Sequence, residues 1–189
     1  MKKNLFLFSI FYFAYTFSHA QCGSERQKVK TLSDKDTTAI RFSNIQNASV
    51  HYLVNKPATV PDYHKGPRLQ PEETTVYKVK CQLVNYKQES NDGDYHLVII
   101  DLSTKEKMVA EMVDPDCVGH TSHKDEFAKV RRDFTEKIGT PLKDKFQKKF
   151  KYRLIELKGI SYFDKKHGVT SSAKNRRELH PVIGFIVLD

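Results

Sequence analysis

Between Val76 and Leu83 the apolar side chains recur mostly at every second residue, and from Phe127 they recur at every third and fourth. A period of two buries one face of a strand and a period near 3.6 buries one stripe of a helix, so the point of change orders the elements. Val76-Tyr77-Lys78-Val79-Lys80-Cys81-Gln82-Leu83-Val84 alternates as a half-buried strand. His96-Leu97-Val98-Ile99-Ile100 reads as a strand buried on both faces and Met108-Val109-Ala110-Glu111-Met112-Val113 as a third strand, joined by polar turns at 91–94 and 103–107. Connections that short make the three an antiparallel meander. Phe127, Val130, Phe134 and Ile138 predict an amphipathic helix over 125–138, stopped by Gly139 and Pro141. A second short helical piece is expected over 143–149, and strand composition returns at 152–158, 160–163 and 182–188. Strand, strand, strand, helix, strand, strand is the order of the OB-fold, a five-stranded, partly open barrel that binds ligands on one face and two loops. Another small β-barrel or sandwich is the alternative pairing of the same strands.

Ahead of this region the chain divides in two. Lys2 and Lys3 precede an apolar run over 5–17, and Ser18-His19-Ala20 is a small-x-small cleavage signature, so residues 1–20 are expected to be a signal peptide. The run is short of the roughly 20 residues that a spanning helix needs. Gln21 before Cys22 speaks against a lipoprotein. No second apolar stretch long enough to span a bilayer follows, so a secreted or periplasmic product without a membrane span is expected. Residues 21–73 are polar and interrupted by Pro57, Pro61, Pro67 and Pro71, with only 49–54 strand-like. They are expected to pack as an irregular arm on a barrel domain over 74–189, having too few apolar residues for a core of their own.

Of the three cysteines, Cys81 lies in a strand-like apolar run and is expected to be a buried small hydrophobe. Cys22 and Cys117 stand in loop-like surroundings and are available to pair, because export leads to an oxidising compartment. No C-x-x-C occurs, which disfavours zinc and thiol-redox readings.

Six segments in order carry a family resemblance: Lys28-Val29-Lys30-Thr31-Leu32-Ser33-Asp34-Lys35-Asp36, Asp94-Tyr95-His96-Leu97-Val98-Ile99, Met108-Val109-Ala110-Glu111, Asp114-Pro115-Asp116-Cys117, Phe163-Asp164-Lys165-Lys166-His167-Gly168 and Glu178-Leu179-His180-Pro181-Val182. Together they resemble a family of small secreted bacterial proteins. The resemblance implies a single exported domain and no particular activity. The chain departs from the pattern at Ser171-Ser172-Ala173-Lys174-Asn175-Arg176-Arg177, which is basic where the relatives are Gly- and Pro-rich, and at Ile138-Gly139, where they carry a Cys. The second departure leaves the partner of Cys117 open.

The polar residues next to strands are the candidates for chemistry. By the two-residue period Asp94, His96, Val98 and Ile100 share one face and Tyr95, Leu97, Ile99 and Asp101 the other. His96 is then either a core-edge histidine satisfied by a carboxylate or backbone group, or a general base or metal ligand. Asp164, His167, Glu178 and His180 flank the loop between the last two strands, and a hairpin there would gather them. Two imidazoles and two carboxylates suit zinc, iron or manganese, although D-x-x-H is short and Asp164 is as well explained by a turn cap. Glu111, Asp114 and Asp116 offer oxygen ligands for calcium or magnesium, or an ordinary turn. The staphylococcal-type nucleases set carboxylates and arginines on an OB barrel, and here Arg68, Arg131, Arg132, Arg176 and Arg177 carry the corresponding charge. That likeness is one of element order only.

The chain carries 32 Lys and Arg against 23 Asp and Glu, an excess of +9 to which Lys2 and Lys3 contribute only two. Basic residues cluster at Lys143, Lys145, Lys148, Lys149, Lys151 and Arg153, interleaved with Phe146, Phe150 and Tyr152. Charges that track phosphates and rings that stack on bases are the apparatus of single-stranded nucleic acid binding. A solvated helix face with Phe146 and Phe150 turned inward fits the same residues. Acidic glycans, anionic lipid headgroups and another exported protein are the other partners that export makes accessible. The expectation is a non-enzymatic binding module for an anionic partner, with His167, Lys174, Arg176, Arg177 and His180 at the contact surface and no cofactor. The competing class is a metal-dependent hydrolase of phosphodiesters.

Overall fold

A computed structural model describes residues 22–23, 25–57, 63, 65–119, 123–165 and 172–189. The leader expected over 1–20 and His167 lie outside the described residues. The arm holds a four-residue helix α1 (Gln27–Lys30), a strand β1 (Ile45–Ala48) and a helix α2 (Val50–Asn55). Residues 49–54, expected to be strand-like, therefore form most of α2. Ser49 caps it by accepting the Tyr52 backbone N–H, and Val50, Leu53 and Val54 fall on one buried stripe.

The remaining elements are β2 (Val76–Gln88), β3 (Tyr95–Ile100), β4 (Lys107–Met112), α3 (Lys124–Lys137), β5 (Arg153–Phe163) and β6 (Arg177–Val187). The sheet runs β1-β2-β3-β4-β6-β5, and β5 returns to pair with β2, so five strands close a barrel and β1 adds parallel to β2. β4 and β6 are parallel and the other barrel contacts antiparallel. This is the OB-like barrel that the element order predicts. β5 is continuous through Gly159, where a Cβ would stand 3.1 Å from Leu179 Cβ and from the Pro181 carbonyl oxygen. The missing side chain eases this close approach of β6.

Inside the barrel Val79, Cys81, Leu83, Leu97, Ile99, Met108, Ala110, Met112, Ile155, Leu157, Leu179 and Val182 pack together, with Val130 and Phe134 of α3 and Leu53 of α2 among them. A second cluster lies apart from the barrel interior, where Leu32 and Ile40 of the arm meet Val76, Val113, Val118, Phe127, Ile160 and Ile183. At roughly 1.5–3 kcal/mol per fully buried aliphatic side chain, these two arm residues alone are a substantial hold on the barrel. Cys22 and Cys117 form a disulfide, and Cys81 is a buried thiol. The stretch over 143–149 is not helical. It runs along the C-terminal half of β2, where Gln88 N–H donates to the Leu142 carbonyl (3.0 Å), Asp144 N–H to Gln88 (2.8 Å) and Gln147 N–H to the Asn85 side chain (3.0 Å). Unpaired edge groups of β2 take this segment as a partner in place of the helical hydrogen bonds that its i, i+4 aromatics suggest. Among the described residues no helix is long and apolar enough to cross a membrane.

Candidate functional site

Strand register collects a polar cluster from residues far apart in the chain. His96 stands directly opposite Glu111 across β3 and β4. Parallel pairing of Val109 with Glu178 and of Ala110 with Leu179 brings the start of β6 alongside, which sets His180 next to Glu111. Leu179 enters the barrel, and a register shift opposite Gly159–Ser161 lets Val182 do the same, so Glu178 and His180 both face outward. The β2–β3 turn carries Asp92 and Asp94 to the same place. Gly93 within it has φ +78°, and a Cβ there would meet Asp114 Oδ2 at 2.3 Å. From the arm, α1 contributes Lys30, whose Nζ lies 4.0 Å from Asp92 Oδ2 and 5.7 Å from the Tyr162 ring centre. The Cys22–Cys117 disulfide and the Gly23 N–H bond to the Asn91 carbonyl (3.1 Å) hold the arm in place over the turn.

His180 is wholly buried, with Nε2 3.1 Å from Asp94 Oδ2 and Nδ1 3.0 Å from Glu111 Oε2. Each ring nitrogen therefore faces a different carboxylate, and the imidazole bridges the two. The other oxygen of each carboxylate is tied to protein: Asp94 Oδ1 accepts the Asp114 backbone N–H (2.8 Å) and Glu111 Oε1 bonds His96 Nδ1 (2.9 Å). His96 Nδ1 also lies 3.4 Å from Glu89 Oε1, while its buried Nε2 has no hydrogen-bond partner among the described residues.

Electrostatics in this enclosed space diverge from group to group. Burial disfavours the His180 imidazolium, but Asp94 and Glu111 outweigh it and its pKa is pushed up to about 9. Burial likewise opposes the charge on Glu111, and the imidazoles of His180 and His96 reverse the balance, holding its pKa well below the usual carboxylate range. Glu178 goes the other way: burial, then Glu111 and Asp164, push its carboxyl well above that range. Burial also works against the Lys30 ammonium, yet Glu111, Tyr162, Asp164 and Asp94 keep it above the ordinary lysine value.

The sequence-predicted residues thus regroup. Glu178 and His180 do come together, with the Asp164 carboxylate among the groups that influence Glu178. Glu111 joins them rather than Asp114 and Asp116. Asp114 accepts the Asp116 N–H in the Pro115–Cys117 turn (3.1 Å) and lies 3.5 Å from Arg131, and Asp116 is exposed. Arg177 and His180, expected at a contact surface, are both wholly enclosed. β6 begins at Arg177, before the expected position 182, and the Arg177 guanidinium lies over the Phe163 ring at 4.4 Å and donates to Ser161 Oγ at 2.6 Å. Lys174 is exposed and Arg176 half-buried. Lys30, Asp92, Asp94 and Tyr162 were not among the expected site residues. The available signal was Asp92-Gly93-Asp94-Tyr95-His96, in which alternate residues carry donors into a strand, but its turn chemistry accounts for the same letters.

The basic stretch forms a second feature beside the first. Lys143, Lys145, Lys148, Lys149 and Lys151 are all exposed, and Phe146 and Tyr152 remain 38% and 54% exposed. Phe150 instead packs edge-on against Tyr86. Phe146 is held by Lys87, whose Nζ stands 5.3 Å from the ring centre, and by His96, ring centre to ring centre 6.1 Å. The strip therefore borders the cluster at His96.

Comparison with protein-family models, with curated proteins and with solved structures finds no match for this chain. Fold and site define it physically: an OB-like barrel with a buried carboxylate–imidazole cluster on its outer face and a basic, aromatic-bearing strip next to it.

Proposed function

We propose that this protein is an exported, non-catalytic binding module that holds single-stranded nucleic acid through the strip over 142–153. The observation that carries the reading is the exposure of Phe146 and Tyr152 among five exposed lysines. The five lysines supply charge for a phosphate chain, and the two outward rings offer stacking platforms at about 1–3 kcal/mol per base. The helical alternative, in which both phenylalanines turn inward, does not apply to a segment paired with β2.

The second reading is a metal-dependent hydrolase of phosphodiesters, favoured by the contact between Phe146 and His96, which would bring a bound strand to the edge of the carboxylate–imidazole cluster. Incubating the purified protein with labelled single- and double-stranded DNA and RNA at low salt, with divalent cations or with chelator, separates the two. Retardation of single strands without cleavage is the expected result. Cation-dependent cleavage, lost in His180→Asn, supports the hydrolase. Absence of both removes nucleic acid and directs the same assay to acidic glycans and anionic vesicles.

A further inference from the structure

We infer that a single proton clasps this barrel shut: His180, with a hydrogen on each ring nitrogen, ties Glu111 to Asp94 across the β4–β6 seam, and losing one of those hydrogens at alkaline pH loosens the seam. β4 and β6 pair at only two positions, Val109 with Glu178 and Ala110 with Leu179, whereas β3 and β4 pair at six and β2 and β5 at eight. The ladder is thus shortest at a contact that the closed sheet requires. Glu111 and His180 stand on opposite sides of it, Oε2 to Nδ1 at 3.0 Å, and Nε2 extends the link to Asp94 Oδ2 just ahead of β3 at 3.1 Å. The inference does not depend on the nucleic-acid strip.

Donor and acceptor chemistry sets the protonation state. An ionised carboxylate only accepts, and a neutral imidazole has one N–H and one lone pair. With a different carboxylate at each nitrogen of this wholly buried ring, a neutral His180 would aim its lone pair at Asp94 or Glu111. The imidazolium meets both. Each carboxylate is also held in place by its other oxygen, Asp94 Oδ1 by the Asp114 N–H (2.8 Å) and Glu111 Oε1 by His96 Nδ1 (2.9 Å). Around the ring, Lys30 of α1 opposes the charge, while Asp92 of the turn and Glu178 of β6 interact with it favourably. Tyr162 of β5 lies ring to ring at 5.3 Å. Glu89 reaches the bridge through His96, Asp164 through Glu178, and Arg131 of α3 through Asp114. The two bridged carboxylates dominate, and they lift the His180 pKa from 6.5 to about 9. Because the folded value is the higher one, the stabilisation is complete below about pH 6.5 and is lost as pH rises through about 9. Lys30 and the Cys81 thiol titrate above that window.

Two measurements test the clasp. Nitrogen NMR of the histidine rings is expected to show both His180 nitrogens protonated at neutral pH, with the transition near 9. Urea unfolding across the same range, followed with amide exchange, is expected to show the parent midpoint falling between about pH 6.5 and 9, and protection at Glu178 and Leu179 lost before that in β2 and β5. His180→Gln keeps one side-chain donor and cannot titrate, so its midpoint should start lower and stay level over this window. Should that variant not fold, the ring titration of the parent decides alone. A neutral His180 ring at neutral pH, whether the proton sits on Asp94 instead or is absent, overturns the inference. So does a fall in midpoint that His180→Gln leaves unchanged.

Discussion

Glu73→Ala is expected to destabilise the protein by about 3–5 kcal/mol, the cost of leaving a buried charge and its donors without their acceptor. Glu73 is fully buried and receives both terminal nitrogens of Arg26, with Nη1 at 2.8 Å, together with the backbone N–H groups of Leu69 and Phe163, each at 2.8 Å. It therefore joins α1, the segment before β2 and the end of β5. The Arg26 side chain is itself only 2% exposed, so it cannot turn to water when the carboxylate is removed. Glu73→Gln preserves shape and one acceptor and should cost less. Denaturant unfolding of the two variants measures the effect, and a loss below about 1 kcal/mol for Glu73→Ala would show that the arm is held by apolar contacts instead.

Removing the Cys22–Cys117 disulfide should have an effect of similar size. The bond spans a sequence separation of 95. In the chain-entropy description a loop of that length constrains the unfolded chain by about 4–5 kcal/mol. It also holds the arm at the turn that carries Asp92 and Asp94, so the double variant Cys22→Ser/Cys117→Ser should expose Lys30 and α1 before the barrel opens. Urea unfolding with hydrogen exchange detects both effects: a lower midpoint, and loss of protection in the arm at lower denaturant than in β2 and β5. Identical midpoints with and without the bond would contradict this. The Cys81 thiol, buried in the barrel and with its pKa pushed up by that burial, should react with thiol reagents only on global unfolding.

The barrel was legible because its evidence is local. Alternation in β2, the short apolar runs of β3 and β4, and the three-four spacing of Phe127, Val130 and Phe134 each lie within one element. The arm was less so, because its ties are long-range: Arg26 reaches Glu73 across 47 positions, and the buried Arg68 reaches Asp34 across 34. A buried arginine leaves no mark on apolar periodicity. Within the arm, β-branched and aromatic side chains in Val50-His51-Tyr52-Leu53-Val54 suggested strand, while the Ser49 cap and the one-sided burial of Val50, Leu53 and Val54 decided for helix.

The cluster shows the same division. Glu178 and His180 could be proposed as partners, since both precede Pro181 on one short segment. Their meeting with Asp94 and Glu111 depends on the parallel β4–β6 closure and on a register shift in β6, and neither has a signature in the letters. Pro181 made the strand seem to begin later than it does, because proline removes a ladder donor. The strip at 142–153 was visible as composition, but its course along β2 is set by Asn85 and Gln88, more than fifty residues earlier.

Whether the strip grips a charged chain is measured by the salt dependence of retardation of a single-stranded oligonucleotide, for the parent protein and for Lys148→Glu/Lys149→Glu. Each phosphate engaged contributes a slope of about −0.7 in log K against log salt. The binding-module reading predicts a slope near −3 for the parent, from four or five contacts, and a markedly shallower one for the variant. No retardation at low salt, or equal slopes for the two proteins, would contradict it.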